Sequence, residues 1–211
     1  MLIQKEIDDV LKNNKDLNFD TSKNEFYGKI WISNSDYYDV VISLNGYPDF
    51  FPDVYEVGNR IPWKMDRHIY PKSGGCCFTT TAKSQILLRT KIKSLQLFIS
   101  HIVIPFFRNN SYYEIHGKYF TSEYSHGTFG ILESYQDILK IDNNYKIVQT
   151  MYDYVNGDKL SIRDDCFCGS GVKLKKCFGG HHNIAYRNLR MIDKRIIVDD
   201  LVKIVEFLKE D

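Results

Sequence analysis

Between Cys166 and Cys177 three thiols fall within twelve residues, in the order Cys166-Phe167-Cys168-Gly169-Ser170-Gly171 and then Val172-Lys173-Leu174-Lys175-Lys176-Cys177. The glycines turn the chain tightly between them. So short a segment buries little apolar surface, and a fold built on it needs another source of free energy. Thiolates are soft ligands, and a structural Zn²⁺ site closes as a tetrahedron of four sulfur or nitrogen donors. Cys166, Cys168 and Cys177 supply three, and His181 or His182 can supply the fourth. Metal–ligand bonds then contribute much of the folding free energy of the segment. The plain alternative is three free cysteines packed in a small C-terminal lobe.

Composition narrows the rest. The chain has 211 residues, 43% hydrophobic and 26% charged, which suits one domain with a small appendage and excludes a disordered or fibrous chain. Twenty-eight basic against twenty-seven acidic residues leave +1, so no global field draws in nucleic acid or an anionic membrane. The most apolar run, Leu97 to Phe107, is interrupted by Ser100, His101 and Pro105. It falls short of the ~20 residues that span a bilayer. The first fourteen residues mix charges with aliphatic side chains and carry no apolar leader block. Five cysteines, at 76, 77, 166, 168 and 177, do not pair into a disulfide framework, and the expected compartment is the reducing cytoplasm.

Ile3, Ile7, Val10 and Leu11 make the stripe of an amphipathic helix over residues 2 to 13. From Glu25 to Leu44 the text turns aromatic and β-branched, predicting two antiparallel strands, and a third follows at DVYEV, ending near Gly58. Residues 62 to 83 show no periodicity and read as a long irregular loop that carries Cys76 and Cys77. Ile92, Leu95, Ile99, Ile102, Val103 and Phe106 predict a helix from Thr90 to Phe107 that covers the sheet. A further helix is expected from about Thr128 to Leu139, entered through Ser125-His126-Gly127, and a last one with Asp199 as its N-cap. The pattern breaks at Asn156-Gly157-Asp158, which divides the chain into residues 1–155 and 156–211. The fold class expected is α+β, an antiparallel sheet packed by helices with a small zinc module at its end.

In the loop, Gly74-Gly75-Cys76-Cys77 follows His68 by a few residues. A nucleophilic cysteine needs thiolate, which a cation, a histidine or a helix N-terminus favours. The plain reading of either cysteine is a small hydrophobe in the core. His126 reads equally as a group near the thiol and as a helix-capping side chain.

Two resemblances rest on these residues. The pattern Cys-x-Cys-Gly-Ser-Gly, then lysines and Cys177, is similar to the SEC-C zinc motif, with Phe178 standing where that family has its fourth ligand; the resemblance therefore implies a ligand shifted to His181, with His182 as the fallback. The resemblance implies a docking module, with Lys173, Lys175, Lys176, Arg187, Arg190 and Arg195 as its basic face. The order helix, strands, Tyr47-Pro48-x-x-Phe51-Pro52, strand, His68, Gly74-x-x-Cys77-Phe78, helix resembles the ubiquitin-conjugating enzyme fold over roughly residues 1 to 140. His68-Ile69-Tyr70 stands in place of that family's His-Pro-Asn. Together with GGCCF and YYEIHGKYFTSEYSHGTFGILESY, these features look similar to the stand-alone conjugating enzymes of type II CBASS antiphage systems. The resemblance implies that Cys77 is a catalytic cysteine that forms a thioester with a protein C-terminus and passes it to an amine. By the same resemblance His68 is expected to support the active-site loop, and the expected protein substrate is a cyclic-oligonucleotide synthase (CD-NTase). A docking protein of the same fold and a thiol-dependent redox or hydrolytic enzyme are the competing expectations.

Overall fold

The computed structural model describes residues 2–121 and 124–210, so Ser122 and Glu123 of the tyrosine-rich stretch lie outside the described residues. The fold is α+β. Contacts group the chain into two compact units, Met1–Thr79 with Leu87–Glu123, and Thr80–Ile86 with Tyr124–Asp211.

In the first unit, α1 (Leu2–Asn13) buries Ile7 and Val10 and packs on α3 (Leu95–Phe98). The carboxylate of Glu6 accepts from the Tyr47 hydroxyl at 2.7 Å and from the Leu95 backbone N–H at 2.8 Å. Four antiparallel strands follow in the order β1 (Leu17–Asp20), β2 (Glu25–Trp31), β3 (Tyr37–Ser43) and β4 (Asp53–Glu56). Alternation turns Phe26 and Ile30 of β2, and Tyr38, Val40 and Ile42 of β3, onto one fully buried face, while Tyr27 and Trp31 stay exposed. Each large side chain so buried stabilises by roughly 1.5–3 kcal/mol. The first strand is absent from the sequence-based expectation. It depends on a close crossing at Gly28, where φ is +131° and a Cβ would stand 2.1 Å from the Asp16 carbonyl oxygen.

The covering helix begins later than expected and is longer. Ser94 caps it by accepting from the Leu97 N–H at 3.2 Å, and the helix runs through α3, a π turn (Ile99–Val103) and α4 (Ile104–His116). Pro105 has no N–H to give the preceding turn, and the π turn lies where that bond is missing. Leu95, Phe98, Ile99, Val103 and Phe107 close the core against the sheet. Thr81–Thr90, expected partly as loop, forms a separate helix α2.

In the second unit, α5 (Gly127–Leu139), α6 (Asn144–Asn156), α7 (His181–Leu189) and α8 (Lys194–Glu210) enclose a second core of Leu132, Tyr135, Ile147, Met151, Leu189 and Ile197. Gly157, at φ +107°, ends α6 where the sequence pattern breaks. The contact-based division nevertheless falls at Tyr124 instead of residue 156, because the apolar stripes of α5 and α6 close on Leu174, Tyr186 and Leu201. Helix α8 starts five residues before Asp199. Asp193 accepts from the Arg195 N–H at 2.8 Å, and Ile197, buried one turn before Leu201, extends the stripe toward the N-terminus.

Candidate functional site

The first candidate site is built by backbone pairing. A 3₁₀ turn (Met65–Arg67) ends at His68 in the left-handed region, φ 52°. From there the chain forms a small hairpin within the expected loop. The Cys77 N–H donates to the His68 carbonyl at 2.8 Å, the Tyr70 N–H donates to the Gly75 carbonyl at 2.9 Å, and Ile69 pairs with Cys76. The return arm is tied to the sheet, since the Cys76 N–H donates to the Val54 carbonyl at 2.8 Å and Gly75 pairs with Tyr55. Gly74 is required on two counts: φ is +73°, and a Cβ there would lie 2.5 Å from the Trp63 ring.

This register gives the two adjacent cysteines different surroundings. Ile69 and Cys76 pack with the core, and burial pushes the Cys76 thiol well up. Cys77 is half-buried, and Phe78 after it is anchored edge-on against Phe98 and Phe106. His68 is buried, its ring set against Tyr119 at 5.4 Å, and it meets Cys77 through its backbone carbonyl. That is a loop-shaping position. Tyr70 pairs with Gly75 and so stands diagonal to Cys77 across the hairpin, on the same face. Burial and then the neighbouring Cys77 sulfur raise the Tyr70 phenol, so it stays protonated. His126 is exposed and caps α5 in the second unit.

The second candidate site is a cluster of metal-ligating side chains. The Cys166 N–H donates to the Val172 carbonyl, the Gly169 N–H to the Cys166 carbonyl and the Cys177 N–H to the Lys173 carbonyl, each at 3.0 Å, which folds the segment back on itself. The ligating atoms of Cys166, Cys168, Cys177 and His182 all lie within 4.8 Å of one another. His182 Nδ1 is 3.2 Å from both Cys166 Sγ and Cys177 Sγ, and Cys168 Sγ is 3.6 Å from Cys177 Sγ. A tetrahedral ion with ~2.3 Å sulfur bonds has ligand–ligand edges of about 3.8 Å, so the donor set fits a small divalent cation. His182 Nε2 is 3.2 Å from the Lys140 carbonyl oxygen, which places the proton on Nε2 and leaves the Nδ1 lone pair toward the sulfurs.

Burial raises Cys168, but hydrogen bonds from Ser170 and then its sulfur neighbours outweigh this and hold it at about 6. Cys166 is pushed up to about 12, by burial first and then by the other two thiols. His181 is exposed against the Phe178 ring; the fourth side chain of the cluster is His182. The periodicity that identifies it is present in the sequence: His182, Ala185, Tyr186 and Leu189 form the buried stripe of α7, at i, i+3, i+4 and i+7. Ser170, whose hydroxyl lies 3.2 Å from Cys168 Sγ and 3.4 Å from Cys177 Sγ, carries no sequence signal of that role.

Among the described residues no helix is long and apolar enough to cross a membrane. No protein-family model, curated protein or solved structure matches the chain.

Proposed function

We propose that the chain is a cysteine-dependent acyl carrier of the conjugating-enzyme type. Cys77, its thiol proton given to solvent, attacks as thiolate the activated C-terminal carbonyl of a protein; the S–C bond forms and the activating group leaves with its electron pair. An amine then attacks the thioester carbonyl, the N–C bond forms, the S–C bond breaks with its electrons returning to sulfur, and the amine proton passes to solvent. The protein substrate in this reading is a cyclic-oligonucleotide synthase of a CBASS antiphage system. The observation that carries it is the hairpin: a glycine-rich turn pinned to the sheet, with one cysteine packed in the core and its neighbour Cys77 half-buried, Tyr70 standing diagonal to it.

The second unit contributes no step to this chemistry. Cys166, Cys168, Cys177 and His182 would hold Zn²⁺ as a structural ion, which supplies cross-links between the cysteine segment and α7. That four-protein-donor set favours a second reading, a docking protein in which Cys77 is incidental. Co-expression with the candidate synthase and intact-mass analysis under non-reducing conditions separates the two. An adduct that is released by thiols and missing in Cys77→Ala supports the acyl carrier. No adduct in either form, with the two proteins still co-purifying, supports docking.

A further inference from the structure

We propose that Tyr70 is a catalytic hydroxyl that stabilises the Cys77 thiolate by hydrogen bonding, both when the thiolate attacks and when it is expelled. The hairpin register places it there. Tyr70 pairs with Gly75, two residues before Cys77, and diagonal neighbours on one face of an antiparallel pair are within reach of long aromatic side chains. Gly75 makes room for it: Tyr70 Cδ2 lies 3.8 Å from where a Gly75 Cβ would stand, so a side chain at Gly75 would meet the Tyr70 ring. Burial and then the neighbouring thiol raise the phenol, which keeps its proton in the range where a thiolate forms. The return arm that carries Cys77 is fixed by its pairing to β4 and by the anchored Phe78, so the register that sets Tyr70 diagonal to the sulfur is in place before any substrate arrives.

The chemistry is balanced without a further reactant. Tyr70 donates a hydrogen bond and transfers no proton: it strengthens as charge builds on sulfur, weakens when the sulfur is acylated, and strengthens again as the S–C bond breaks. Its place in turnover rests on the acyl-carrier reading, whereas the tyrosine–thiol pair can be measured with no substrate present.

The test compares the zinc-loaded native protein with Tyr70→Phe. The ring is 45% exposed and Phe retains it, so the fold is kept, which a thermal melt checks. Iodoacetamide labelling is followed at Cys77 by tandem mass spectrometry across pH. A hydrogen bond to a charged group predicts labelling about tenfold slower at neutral pH in Tyr70→Phe, with the two rates converging once the thiol is fully ionised. Coincident profiles, or a reduction by the same factor at every pH, overturn the proposal. The two readings fail separately: coincident profiles with a Cys77 adduct leave the acyl carrier standing without Tyr70, and a shifted profile with no adduct leaves the pair standing without the acyl carrier.

Discussion

The two units place their chemistry by different means. In the first, a sheet and its covering helices form a continuous apolar core, and Cys77 is positioned from that core by backbone hydrogen bonds through β4 and the hairpin. In the second, helices close around a smaller segment whose inner atoms are three sulfurs and an imidazole nitrogen. A core tolerates a conservative loss almost anywhere, because its energy is spread over many contacts. A four-donor cluster does not, because its energy is concentrated in four bonds.

Cys177→Ala should therefore have the largest effect. Structural zinc contributes on the order of 10–16 kcal/mol in small zinc-folded peptides. We expect loss of the stoichiometric metal by elemental analysis and loss of amide-exchange protection in α7, with β2 and β3 still protected. Equal protection in α7 with and without metal would break the contrast. His182→Ala should follow the same course and His181→Ala should leave metal content unchanged, which tests the assignment of the fourth donor directly.

Phe98→Ala is the matching change in the first unit. Phe98 is fully buried and touches Phe51 and Phe78. A cost of about 3–5 kcal/mol is expected by denaturant titration, without change in bound metal. Gly74→Ala is smaller and local: a left-handed φ and the Trp63 ring together should cost ~1–3 kcal/mol and lower the adduct yield at Cys77.

The smallest effect concerns Asp200, which is buried and accepts from the Tyr135 hydroxyl at 3.1 Å. Burial raises its carboxyl above the ordinary 3.8, so ionisation is easier in the unfolded chain than in the folded one. Its contribution to stability is present below the unfolded value and lost as pH rises through the folded one. Asp200→Asn should raise the melting temperature slightly at neutral pH, and the difference should vanish toward about pH 3. A difference that persists in acid would point to packing instead.

Legibility from sequence followed the range of the interactions. Helix α1 and strands β2 to β4 are written in local periodicity and were placed within a residue or two. Strand β1 is four residues long and exists because Asn18 and Phe19 pair with Tyr27 and Phe26, a non-local fact. The hairpin is equally short, and its glycines signalled a turn without its register. Helix α6 is different: Ile147, Met151 and Tyr154 form a stripe that local periodicity makes readable, and the Gly157 that ends it is the stronger local signal. Of the candidate sites, the cysteines were legible from spacing, and His182 was one helical stripe away from being chosen over its neighbour. Tyr70 beside Cys77 was not, since only the register brings it to the sulfur.

The Trp63 ring that lies against Gly74 also makes the chain its own optical instrument. The protein has two tryptophans, Trp31 and Trp63, and both belong to the first unit. Red-edge-excited fluorescence therefore reports on the sheet and the hairpin turn alone, while far-ultraviolet dichroism is dominated by helices, many of them in the second unit. One unlabelled sample, followed by both signals during chelation, yields separate unfolding curves for the two halves.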